Sequence, residues 1–282
     1  MTQKKSRRRI LQLTGGAALF GLAGCSSIAD MGDDQYQADN TPADNQSQQT
    51  QTQTTTQESI DQSPDDGENN GESQAVTRKS EEIVQPAGAV LDAPVEDTDS
   101  TYAVMGSADA SAKMTLYGNW KCPYTQEFAV GGFLDEIVRE YVEPGDLQIE
   151  YRSLSYLGGE PFLGPDAPLS AQAGLAAWNE DPENYWTYFA YVFKNQPQER
   201  FDWGTVPQMK LFAEEAGISN VEAFTTALEN DEYLSAVEAT TEAAAEVNVA
   251  TVPRIVFEDG TTVRPTVDPD ETRSEIEAQI DA

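Results

Sequence analysis

The sequence contains no histidine and only two cysteines, Cys25 and Cys122, in 282 residues. Without histidine there is no Ser-His-Asp triad and no Cys-His nucleophile pair. Two distant cysteines and no histidine exclude a conventional zinc site. There is no glycine-rich phosphate loop, and neither a metal nor a cofactor is expected. No apolar run reaches the ~20 residues of a dedicated membrane span. Basic residues are scarce: 17 Lys and Arg face 49 Asp and Glu, a net charge of −32. So acidic a chain argues against nucleic acid or an anionic membrane surface as partner. The composition suits molar salt, where carboxylates keep a surface hydrated, and points to a salt-loving archaeon as the source.

The charge is unevenly spread. Residues 1–25 hold five basic residues, Lys4, Lys5, Arg7, Arg8 and Arg9, and no acid. Ser6-Arg7-Arg8-Arg9-Ile10-Leu11 resembles a twin-arginine export motif, and an apolar stretch from Ile10 to Ala23 follows it. Leu22-Ala23-Gly24-Cys25 resembles a lipobox, which implies that Cys25 is lipidated and begins the mature chain. The order of basic pair, twin arginine, apolar core and lipobox reads as an export signal for a protein anchored on the outer face of the cell membrane. Residues 26–98 are rich in Gln, Thr, Asp, Ser and Asn, with a low-complexity tract from Gln48 to Gln57. Such a segment buries too little apolar area to offset ordering, so it reads as a disordered acidic linker.

Residues 99–282 read as one folded α/β domain with 33 acids and 10 bases. Met114-Thr115-Leu116-Tyr117 predicts a strand, and Pro123 to Tyr141 a helix with Phe128, Phe133, Leu134, Ile137 and Val138 as its apolar stripe. Leu147 to Tyr151 predicts a second strand, parallel to the first across a βαβ unit. Helical patterns follow over Ala167–Trp178, around Trp186, Phe189 and Phe193, over Met209–Ala216, after a capping box at Ser219-Asn220-Val221-Glu222, and over Asp231–Val247. The chain then returns to strand at Val252–Phe257, turns at Asp259-Gly260 into Thr261-Thr262-Val263, and closes with a helix over Asp270–Ile280.

Cys122 stands where the first strand gives way to the first helix, in Cys122-Pro123-Tyr124-Thr125. A cysteine at a helix start meets backbone N–H groups and the positive end of the helix dipole, which favour thiolate. Pro123 suits the first helical position, where a missing N–H costs nothing. Strand, Cys-Pro-x-x, helix, strand, helical insertion, Thr251-Val252-Pro253, hairpin and final helix together resemble the DsbA-like branch of the thioredoxin superfamily. The resemblance implies a thioredoxin-like fold with a helical insertion. It also implies a reactive Cys122, a cis Pro253 beside its sulfur, and a Val252 backbone that meets an extended substrate.

The departure is Thr125, where that family usually has a second cysteine. With Cys25 used in the anchor, Cys122 is the one thiol of the mature domain, so a dithiol cycle within one chain is closed to it. One thiol can still exchange with a disulfide and be released by an external or substrate thiol. Thr125 sits one turn on, where its hydroxyl can face the sulfur. Trp120 and Tyr124 read as apolar walls for a peptide, with Trp120 equally readable as core. Lys121 reads either as a nearby positive charge or as a solvated one. The partners expected are protein thiols or disulfides, or small thiols. Two functions remain: a monothiol reductase or isomerase, and a redox-inactive peptide-binding module.

Overall fold

The computed structural model describes residues 75–282, so the export signal, Cys25 and the linker up to residue 74 lie outside the described residues. A five-stranded sheet forms the centre, in the order β1 (Ala103–Met105), β3 (Leu147–Ser153), β2 (Ala112–Gly118), β6 (Arg254–Phe257), β7 (Thr262–Val263). The parallel pair expected from the βαβ pattern is β2 with β3, Met114 opposite Ile149. The other pairings are antiparallel, with Met114 opposite Phe257 on β6. Met114, Leu116, Leu147, Ile149, Ile255 and Phe257 are all buried, which fits a central sheet covered on both faces. A small hairpin, β4 (Tyr156–Leu157) with β5 (Glu160–Pro161), follows β3.

The first helix is not continuous. It runs as α1 (Pro123–Val130), breaks at Gly131-Gly132, and resumes as α2 (Phe133–Ile137) and a π-helical turn over Val138–Val142. The predicted stripe survives the break: Phe128, Leu134, Ile137 and Val138 are buried, and Phe133 packs against them. Two adjacent glycines, the second at φ 110°, end a helix that hydrophobic periodicity alone would extend.

The insertion between β5 and β6 carries α3 (Ala167–Glu180), α4 (Tyr185–Asn195), α5 (Val206–Glu215), α6 (Val221–Glu229) and α7 (Leu234–Glu246). Trp186, Phe189 and Phe193 share the buried face of α4, as their spacing predicts. At α6 the cap is Asn220, whose side chain accepts from Ala223 N–H, and not Ser219, whose own N–H donates to Asp181. The chain closes with α8 (Pro269–Ile280).

The stretch 75–98, read from sequence as the end of the linker, is instead a strap packed on the domain. Val76 N–H donates to the Asp202 carbonyl, and Arg78 Nε to the Asn195 carbonyl at 3.1 Å. The buried Asn195 amide accepts from Val84 N–H at 2.7 Å and donates to the Val84 carbonyl at 2.9 Å. Val90 is 2% exposed, and its N–H donates to Asp135 on α2. Apolar residues outnumber acids in this stretch, but the polar tract before it hides them when 26–98 is read as one segment, and one asparagine satisfying a strap peptide on both sides leaves no local pattern. Among the described residues no helix is long and apolar enough to cross a membrane, and no group of three or more metal-ligating side chains gathers.

Candidate active site

Cys122 is the N-cap of α1, with extended backbone angles, φ −77° and ψ 123°, and Pro123 follows at the first helical position. Its carbonyl accepts the first helical bond from Gln126 N–H, and its own N–H donates to the Asn119 carbonyl at 3.0 Å. Cys122 is 4% exposed, and its sulfur lies 3.7 Å from the Val252 carbonyl oxygen. The Val252–Pro253 peptide is cis, and Pro253 is buried while Val252 is half-buried. Residues 130 positions apart therefore meet at one point, the C-terminal end of β2 and the start of β6.

The other sequence-derived residues divide. Tyr124, beside the thiol, is 61% exposed and open to a partner. Thr125 is fully buried, and its Oγ1 accepts from Asn119 N–H at 3.3 Å, while the sulfur hydrogen-bonds to Val252. The hydroxyl oxygen is thus engaged by the loop before Cys122, and no hydrogen bond joins it to the sulfur. Its methyl group packs where a Cβ on Gly118 would stand 2.8 Å away, with Tyr151 Cε2 at 2.7 Å, so glycine is required there by space.

Trp120 is core and forms no wall of an open groove. Its ring stacks on Phe193 at 5.0 Å and meets Tyr151, Tyr188 and Phe189 edge-on. Hydrophobic burial and edge-to-face packing take the whole ring. Lys121 is not solvated: its side chain is 0% exposed and paired with Asp166. The charge next to the thiol is thus held by a carboxylate.

Sequence reasoning passed over Asn119, Tyr151 and Asp166. Asn119 orders the loop: its Nδ2 donates to the carbonyls of Leu154 at 2.8 Å and Phe162 at 3.1 Å, and its Oδ1 accepts from Lys121 N–H at 2.8 Å. Tyr151, on β3, is buried, and that burial raises its hydroxyl well above its ordinary value of 10.0, against a smaller opposing effect of Ser153. The signal for Asp166 was its type and place, an acidic residue at the start of an alanine-rich helix.

The family model described as Thioredoxin matches residues 98–282. The chain belongs to the thioredoxin family. Within it, the "Probable disulfide bond formation protein D" of Bacillus cereus is 26% identical over 170 residues, covering 60% of this chain and 75% of the relative. Oxidised BdbD from Bacillus subtilis superposes with a TM-score of 0.58 at 23% identity, over 67% of this chain and 98% of that one. Chlamydia trachomatis DsbA gives 0.52 at 17% identity, over 66% and 94%. At such identities the structural likeness is one of fold, and the thioredoxin fold with its helical insertion is the one expected from the sequence.

Proposed function

We propose that this thioredoxin-family chain is a thiol–disulfide exchange protein that works with one cysteine. The observation that carries the reading is the setting of Cys122: an N-cap thiol at the start of α1, against the Val252 carbonyl, with Tyr124 exposed beside it. The name of the Bacillus cereus relative, which refers to disulfide bond formation, supports it. Cys122 loses its proton to solvent and attacks one sulfur of a partner disulfide. The partner's S–S bond breaks, its other sulfur leaves as thiolate, and Cys122 is held in a mixed disulfide. A second thiol, from the substrate or from a small external thiol, then attacks and releases Cys122 as thiolate. If the second thiol belongs to the substrate, its disulfide is rearranged with no net oxidation. If it is an external thiol, the substrate leaves with one free thiol and its other sulfur in a mixed disulfide with that thiol; a second external thiol then frees this sulfur, so that the substrate disulfide is reduced and two external thiols are oxidised to one disulfide.

Thr125 favours a second reading, a redox-inactive module that holds an extended peptide beside Val252. The export motif and lipobox motivate a location on the outer face of the membrane through Cys25, and the acidic surface motivates a high-salt setting. The deciding experiment incubates the protein with oxidised glutathione at molar salt and weighs the intact chain. Wild type should gain one glutathione, and Cys122→Ser should lose that adduct entirely while keeping its fold. An unmodified wild type selects the binding module.

A further inference from the structure

Lys121 is the backbone neighbour of the reactive cysteine and the most deeply buried cation among the described residues. Its partner Asp166, at the start of α3, uses both carboxylate oxygens. Oδ1 takes Lys121 Nζ, and Oδ2 accepts from Trp203 N–H at 2.8 Å and Gly204 N–H at 2.7 Å. One carboxylate thus joins the cysteine loop, the start of α3 and the loop before α5. The fold makes room for the pair. A Cβ on Gly164 would lie 2.4 Å from Lys121 Nζ, and one on Gly204 2.2 Å from Ser170 Oγ and 3.1 Å from Asp166 Oδ2. Through Lys121 N–H, which donates to Asn119 Oδ1, the same network reaches the residue whose carbonyl holds Cys122 N–H.

A buried ion pair is a poor source of stability, since desolvation offsets its attraction, but losing one partner leaves a charge uncompensated. Here that charge would be carried by the residue that precedes Cys122. We infer that Asp166 is a positioning residue for Cys122: it fixes Lys121 and offsets its charge, so that the pair sets the thiol's reactivity. This rests on the exchange reading of Cys122. Other titratable groups on the elements around the loop include Tyr124 and Glu127 on α1, Tyr117 on β2, Tyr151 and the paired Glu150 and Arg152 on β3, and Arg254 on β6, whose guanidinium donates to Thr251 Oγ1. None of them pairs with Lys121 or Asp166.

The test measures the pH at which Cys122 becomes half-reactive to iodoacetamide, in the full chain at molar salt, with circular dichroism confirming the fold. It needs no disulfide partner, so its outcome is separate from that of the glutathione experiment. Asp166→Asn leaves an uncompensated cation and should move the midpoint down by about half a unit or more. Lys121→Met leaves an uncompensated carboxylate and should move it up by a similar amount. The double variant should return near wild type. Two loosened loops of purely structural origin would move in the same direction, and either that result or flat midpoints in both single variants overturns the inference. If a single variant does not fold, Lys121→Arg decides. It keeps the charge and should hold the wild-type midpoint, and a displaced midpoint there overturns the inference as well.

Discussion

At the scale of single residues, the candidate site holds one thiol, Cys122, with a hydroxyl residue, Thr125, three positions on. Thr125 lies one helical turn from Cys122, is fully buried, and is engaged by Asn119 N–H. Positions i and i+3 on a helix approach within the reach of a disulfide. Thr125→Cys should therefore form an internal disulfide with Cys122 under mild oxidation. Mass spectrometry after alkylation would show both thiols protected and no covalent dimer. Two free thiols in the oxidised protein would mean that the helix start is set wrongly for the bond. The helix-start position of Cys122 and the cis Val252–Pro253 peptide could be placed from sequence because each stands in a local signature at an element boundary. Trp120 and Lys121 could not, because burial is decided by chain that arrives later. The face of α4 closes over Trp120, and Asp166, 45 residues on, neutralises Lys121.

At the scale of elements, strands and helices followed their periodicities, and the differences arose where two residues outweigh a long pattern. Gly131-Gly132 splits a helix whose apolar stripe reads through, and Asn220 takes the cap that Ser219 was expected to provide. The β6–β7 hairpin shows the opposite case, a turn fully readable as Asp259-Gly260. Asp259 accepts from Thr261 N–H at 2.8 Å and from Gln279 Nε2 of α8 at 2.8 Å, so it also ties the hairpin to the last helix. The Thr261 backbone bond, then Gln279 and the Thr261 hydroxyl, hold its carboxyl below its ordinary value of 3.8. A depressed native value means that the stabilisation is present above that ordinary value and is lost as pH falls through the native one. Asp259→Ala should lower the thermal midpoint by roughly one or two degrees at pH 7. The difference from wild type should shrink below pH 3.8, and a gap that is constant with pH would show that the charge plays no part.

At the scale of the whole molecule, the folded body is larger than the family match. The match begins at residue 98, yet Val84, Val90 and Arg78 are already docked on α4 and α2. A chain starting at 99 would leave the Asn195 amide without its strap partners and uncover the site that buries Val90. Its thermal midpoint should fall roughly 5 °C or more below that of a chain starting at 75, and equal midpoints would show that the strap is ornamental.

Once severed, the strap is a ligand. While it belongs to the chain it faces its site at an effective concentration of about millimolar order, and its modest contacts suffice. Supplied as a free peptide of residues 75–98 it loses that advantage and must saturate the shortened domain by mass action alone. Covalent continuity, more than the strength of any one contact, keeps Asn195 occupied.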